Sequence, residues 1–228
     1  MGFKNINADI IVGIPKQKMW HINSDLRFLK KQNLTHISAY SLIVEDETPL
    51  KKNLDAGIYK LPSEEKSAKM FKKVSSFLQK NGYIRYEVSN FAKKGFESKH
   101  NLKYWTNQNY LGLGLHSSSF VDGKRWKNTD DIKKYIENCT NHKDIKEDVE
   151  VLDKNSQIEE CIMLALRTNL GINLENFKNQ FGFDLYQKKQ KEIDNLIAQN
   201  LLVKTATNLC CTQKGFDFLN QIILQLID

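Results

Sequence analysis

The sequence predicts an α/β first part built on parallel strands, followed by a small helical domain with a winged-helix-like end. Three observations predict it. Residues 8–15 (ADIIVGIP) and 36–42 (HISAYSL) are short apolar strand-like runs separated by a helix-patterned segment. Strand, helix, strand with short connections is a βαβ unit, whose two strands run parallel. Beyond about residue 130 the pattern turns to helices, then a hairpin, then a last helix.

Each element has its own reason. Residues 8–15 read as a buried strand closed by a turn at Gly13 and Pro15. Ile22, Leu26 and Leu29 recur at i, i+4 and i+7 with charged residues between them, which is an amphipathic helix. A further helix starts at Ser63, a good N-cap, with Glu64 and Glu65 in its first turn. Phe71, Val74 and Leu78 line its inner face, and Asn81-Gly82 ends it. Residues 85–89 (RYEVS) read as another strand. Residues 90–128 are rich in aromatic, Asn, Gly and Ser residues and weakly periodic, the kind of irregular segment where ligand contacts lie. Ile158, Ile162, Ala165 and Leu166 mark one later helix, ending near Leu170-Gly171; Ile193, Leu196 and Ile197 mark another. Residues 201–204 and 208–212 pair as a hairpin, and Leu219, Ile222, Ile223 and Leu226 carry the last helix. The acidic, polar stretch 144–153 is the expected domain boundary. The expected division is therefore 1–128, a linker helix and boundary over 129–153, and a C-terminal domain over 154–228.

At 228 residues and 40% hydrophobic composition the chain suits one large domain, or a medium domain plus a small one. No apolar run approaches the roughly 20 residues that span a bilayer. The N-terminal residues lack an apolar h-region, and Ile6 stands where a myristoylation signal has Ser or Thr. The expectation is a soluble, cytoplasmic protein without a membrane span. Cys139, Cys161, Cys210 and Cys211 form no C-x-x-C pair and no cluster-binding loop, and read as buried reduced thiols. The net charge of +7 comes from scattered lysines rather than a basic block. That is a solvated surface, not a nucleic-acid footprint, though it attracts anionic small ligands such as carboxylated tetrapyrroles.

Candidate chemistry is confined to a few residues. Asp9 lies beside the first strand, either as a carboxylate facing a ligand at a barrel mouth or as a turn aspartate. His100, Asn101, Tyr104 and Trp105 form a dense cluster. An imidazole can ligate heme iron, rings can pack on a porphyrin face, and an amide can fix a propionate or a tautomer; the alternative is that they only tie a loop to the barrel. Gly112-x-Gly114 allows close backbone approach, but Ser117 takes the last position of a dinucleotide motif and no P-loop follows. His116 is either a second ligand or a turn residue. His21, His36 and His142 sit among ordinary residues and receive no role. No protease, hydrolase or kinase motif is present.

Four stretches together resemble the oxygen-independent coproporphyrinogen III oxidase-like branch of the radical-SAM superfamily. They are residues 2–17, residues 36–42 with Glu45 and Thr48 behind them, residues 87–105, and residues 110–114. The H-N-x-x-Y-W pattern of His100 to Trp105 is similar to the HemW-type heme chaperones rather than to the oxidases. Residues 159–172 resemble the start of that family's C-terminal domain, and Leu201-Leu202 with Thr212-x-x-Gly215 its end.

The resemblance implies a partial radical-SAM (β/α) barrel whose first strand here corresponds to the fifth of six. It implies heme and S-adenosylmethionine as ligands and a [4Fe–4S] cluster in full-length relatives. The cluster cysteines are absent from this sequence, so the chain is expected to be inactive alone. Asp9 matches the family's S-adenosylmethionine contact, and His100, Asn101, Tyr104 and Trp105 match its heme-handling motif, with His100 the candidate iron ligand. Ser118 stands where chaperone relatives have His, which weakens a role for the glycine loop. The expected function is heme binding and trafficking to an unnamed acceptor protein. The alternative is a coproporphyrinogen oxidase-like enzyme of porphyrin biosynthesis, and a distant third is nucleic-acid binding by the winged-helix-like end. Exposed strand edges are expected to pair with a separate N-terminal half or with a second copy.

Overall fold

The first two apolar runs form β1 (Asn7–Val12) and β2 (His36–Ser41), paired in parallel with Asn7 opposite His36 and Val12 opposite Ser41. The computed structural model describes residues 2–227. The chain divides into two compact units, Met1–Glu97 and Ser98–Asp228.

In the N-terminal unit, side chains alternate across β1. Ile10 and Val12 are buried, while Asn7, Asp9 and Ile11 occupy the opposite, exposed face. α1 (Met19–Lys31) joins the two strands and buries Ile22, Leu26 and Leu29, as the spacing predicts. α2 (Pro49–Asp55) is a short helix with proline in its first turn and Thr48 as its cap. α3 (Glu64–Lys80) starts at Ser63, whose hydroxyl accepts from Lys66 N, and ends where Gly82 takes φ +83°. Met70, Val74 and Leu78 are its buried residues; Phe71, expected on the inner face, is only partly buried. The core lies between the helices and one sheet face, with Val12, Ile22, Ile37, Val74 and Phe91 at its centre.

Residues 85–89 are not one strand. β3 (Ile84–Arg85) and β4 (Asn90–Ala92) are the arms of a short hairpin, and residues 86–89 form its turn. The sheet order is β1-β2-β4-β3, with β4 antiparallel to β2, so the βαβ unit is parallel and the sheet stays open. No closed barrel forms among the described residues. β1 has a neighbour on one side only.

In the C-terminal unit, the segment expected to be irregular carries short elements at its two ends, with loop and turns over residues 106–117 between them. Ser98 caps α4 (Lys99–Trp105), and β5 (Ser118–Val121) turns through Asp122-Gly123 into β6 (Lys124–Asn128). Asp122 and Gly123 have φ of +50° and +75°, the two-residue Asp-Gly turn that joins twisted antiparallel strands. After α5 (Ile132–Thr140), β7 (Lys146–Val151) completes a three-stranded sheet, β5-β6-β7. β7 occupies the stretch expected as a boundary. Its sequence KEDVEV is charged and exposed, as suits an edge strand, so it resembles a linker.

The remainder carries α6 (Lys154–Ala165), β8 (Ile172–Asn173), α7 (Leu174–Phe181), α8 (Leu185–Lys188), α9 (Gln190–Ala198), β9 (Leu202–Lys204), β10 (Asn208–Cys211) and α10 (Leu219–Ile227). A 3-10 turn at Gly215–Phe218 precedes α10. The antiparallel sheet β8-β10-β9 beside these helices gives the winged-helix-like end. All four cysteines are free; Cys210 and Cys211 are buried as expected and Cys161 partly so, but Cys139 is exposed on α5. No helix of the described residues is long and apolar enough to cross a membrane.

Candidate functional site

The H-N-x-x-Y-W segment is α4 itself. Ser98 Oγ accepts from Asn101 N at 3.3 Å and starts the helix. On a helix the motif is two interleaved i, i+4 pairs: His100 with Tyr104, and Asn101 with Trp105. The first pair is in contact. Tyr104 Oη lies 3.0 Å from His100 Nε2, with the rings edge to face at 5.0 Å. Tyr104 meets Tyr110 at 4.6 Å, and Tyr110 meets Phe120 at 6.3 Å, so the rings form a ladder ending at exposed His100. Burial, then the nearby Tyr104 and Glu160, raises the Tyr110 hydroxyl pKa and keeps it neutral.

The hydrogen bond to Tyr104 decides how His100 can bind a metal. If Nε2–H donates to Tyr104, Nδ1 keeps its lone pair for iron; if Tyr104 O–H donates, Nδ1 carries the proton and Nε2 is occupied. With Tyr104 on Nε2, the nitrogen left to ligate is Nδ1, in the tautomer that carries its proton on Nε2.

Trp105, on the other stripe, faces Arg167, whose guanidinium carbon lies 4.8 Å from the Trp105 ring centroid. Arg167 follows the C-cap of α6, and α4 packs on α6. One helical rise of seven residues earlier, Glu160 Oε1 accepts from Arg125 Nη1 at 3.2 Å. Neither Glu160 nor Arg167 was singled out from the sequence. A carboxylate and a guanidinium seven apart on one helix share a stripe, which is the signal that would have found them.

The glycine loop is a close-packed connection. A Cβ on Gly112 would clash with Ser118 O, and Gly112 N donates to Ser119 Oγ at 3.0 Å. Buried Asn128 holds the loop through Gly114 O and Ser117 Oγ, both at 2.9 Å. His116 and Ser118 are exposed, and His116 N donates to Thr129 O.

Asp9 lies in the N-terminal unit, at the end of a hydrogen-bond chain. Tyr86 Oη lies 2.8 Å from His36 Nε2, His36 Nδ1 lies 2.6 Å from Asn7 Oδ1, and Asn7 Nδ2 donates to Asp9 Oδ1 at 2.7 Å. Asn7 Oδ1 can only accept, so His36 Nδ1 carries the proton and Nε2 accepts from Tyr86. Burial lowers the His36 pKa, against an upward pull from Asp9 and Glu97, and favours that neutral tautomer. All donors point toward the Asp9 carboxylate. The sequence reading left His36 and Asn7 without a role. The parallel register shows why they matter, because alternate residues of β1 and β2 share Asp9's face.

An iron–sulfur cluster finds no ligand set among the described residues. No group of three His, Cys, Asp or Glu residues able to hold a metal occurs among the described residues. Burial pushes the Cys161 thiol up to about 11, so it stays protonated where a cluster needs thiolate.

Comparison with known proteins agrees with this architecture. Residues 152–218 match the family model of the HemN C-terminal domain. The chain is 40% identical over 221 residues to the heme chaperone HemW of Lactococcus lactis, covering 97% of this chain and 58% of that protein. It is 32% identical to heme chaperone HemW of Bacillus subtilis, covering 94% and 57%. It is also 28% identical to the mouse mitochondrial radical S-adenosyl methionine domain-containing protein 1, covering 97% and 53%. The fold is similar to the coproporphyrinogen III oxidase HemN of Escherichia coli, a radical SAM enzyme, with TM-score 0.76 at 18% identity over 99% of this chain and 55% of that one. The chain thus spans somewhat over half the length of these relatives. Over that span the chain is similar in sequence to the HemW heme chaperones, and residues 152–218 match the HemN C-terminal domain.

Proposed function

We propose that this chain is the heme-handling part of a HemW-type heme chaperone, with heme contacted by His100, Asn101, Tyr104 and Trp105. The observation that carries the reading is the exposed His100–Tyr104 pair on α4, an imidazole whose Nε2 is engaged by its neighbour, which leaves Nδ1 as the candidate ligand. The ring ladder behind it offers the apolar surface that a porphyrin face needs. Heme is cargo here, and the acceptor is another protein.

Asp9 is the proposed contact to S-adenosylmethionine, where a carboxylate oriented by Asn7 suits a ribose hydroxyl or an ammonium group. The chain supplies no cluster ligands, so it is expected not to start radical chemistry by itself. Reductive cleavage of S-adenosylmethionine by the purified chain contradicts this. The unpaired edge of β1 supports pairing with a separate N-terminal part or a second copy. A monodisperse monomer that melts in one sharp transition contradicts that pairing. Nucleic-acid binding is disfavoured, because α9 sets Glu192 and Asp194 beside Lys191.

Titration of the purified chain with heme, followed at the Soret band, tests the main reading. Saturable binding that weakens at least about tenfold in His100→Ala, the size of one lost charge-assisted or coordinate contact, supports it. Equal uptake by both proteins reduces the binding to nonspecific adsorption on apolar surface and overturns the reading.

A further inference from the structure

Buried polar groups nearly always have partners, so those without one mark places where something else binds. Among the described residues the buried side-chain atoms without a partner are Asn90 Oδ1, Trp105 Nε1, Glu160 Oε2 and Arg167 Nε. Three of the four belong to α4, to α6 and to the residue just past the α6 cap. Two of these three, the indole N–H and the guanidinium N–H, are donors only. They cannot satisfy each other, although Arg167 lies against the Trp105 ring at 4.8 Å. Glu160 does not pair with Arg167 either: its Oε1 accepts from Arg125 and its Oε2 has no partner. The Arg167 side chain makes no hydrogen bond or ion pair with any described residue; the residue is half-buried and its Nε is fully buried. The Trp105 ring packs against the guanidinium, so the two unpartnered donors, Trp105 Nε1 and Arg167 Nε, belong to one contact.

We propose that Arg167 and Trp105 form a carboxylate-binding site. The planar fork of Arg167 matches the two oxygens of a carboxylate, and the Trp105 indole N–H supplies a further donor. Resting on the heme reading, the carboxylate is a porphyrin propionate, since Trp105 shares α4 with His100. A small free carboxylate has the same chemistry and is the other source. The site divides the labour within the H-N-x-x-Y-W helix: one stripe addresses the iron, and the other, through Arg167, addresses the rim of the macrocycle.

The test compares metal-free mesoporphyrin IX with its dimethyl ester in binding to the purified chain, in wild type, Arg167→Met, Arg167→Lys and His100→Ala. Wild type is expected to prefer the free acid by about tenfold, the scale of one charge-assisted pair. Arg167→Met loses that preference while still binding the ester as wild type does, which shows that it has folded. Arg167→Lys recovers part of the preference, and His100→Ala keeps it, because no iron is present. An acid-to-ester ratio unchanged in Arg167→Met overturns the proposal. If no porphyrin binds, the Trp105 indole ¹H–¹⁵N resonance is followed during addition of succinate. A shift that requires Arg167 supports the carboxylate site, and the heme titration with His100→Ala judges the heme reading separately. No shift with succinate overturns the site as well, and leaves the orphan donors to water.

Discussion

The two units carry polar clusters of opposite character. Around Asp9, the linking donors and acceptors are paired in one direction, from Tyr86 through His36 and Asn7 to the carboxylate. Around α4 and α6, buried donors stand unpaired beside a carboxylate with one orphan oxygen. The difference teaches what each cluster is built for. A completed network fixes the position of one group before a ligand arrives, and its pairs contribute to stability. An incomplete one gives up stability until a ligand supplies the missing partner.

Substitutions can break that comparison. Tyr86→Phe strands the buried His36 Nε2 without a donor and is expected to lower stability by about 1–3 kcal/mol in denaturant unfolding. Arg167→Met removes an unpartnered donor and one ring contact, so the expected change is under about 1 kcal/mol. If the Arg167 substitution is the more damaging, the contrast between the clusters is wrong.

Gly112→Ala probes the loop that lies between α4 and α6 in sequence. Its Cβ meets a backbone oxygen that cannot move aside cheaply, and the expected loss is about 1–3 kcal/mol. Stability like wild type means that the loop yields and is not a fixed connection.

A smaller effect lies in pH. Burial holds the His36 pKa in the fold below its ordinary 6.5. The unfolded chain therefore binds the proton more readily, and the stability present above 6.5 is lost as pH falls from there toward the lowered value. His36→Asn is expected to be less stable overall but to lose that part of the slope of stability against pH between neutrality and about pH 5. An unchanged slope places the titration on another group.

The smallest effect is chemical rather than energetic. At pH 8 iodoacetamide should modify exposed Cys139 in the folded chain and spare Cys161, whose thiol burial pushes up to about 11. Equal labelling of both indicates that α6 opens locally.

Much of the fold was legible because hydrophobic spacing reports burial directly. Ile22, Leu26 and Leu29, or Ile193 and Leu196, repeat at the helical period and are buried. Elements failed where spacing carried little signal. Residues 84–92 hold two very short arms around a turn, too brief for alternation to separate from one strand. β7 is charged on both faces, and α4 is only seven residues long with no buried side chain. Two local signals stood there unused: Ser98 as a cap before α4, and Asp122-Gly123 as a hairpin turn. The motif residues His100, Asn101, Tyr104 and Trp105 were visible as a pattern, but not their division between two helix stripes. Asn7, His36, Glu160 and Arg167 were not visible, because what makes them notable is a partner, or a missing partner, distant in sequence.

The central claim is that heme is held by α4 of the C-terminal unit and not by the Asp9 network. A paired heme titration of Asp9→Ala and His100→Ala in the same chain, read at the Soret band, tests it directly. Affinity like wild type is expected for Asp9→Ala and a loss of at least about tenfold for His100→Ala. Equal loss in both variants, or loss in Asp9→Ala alone, contradicts it.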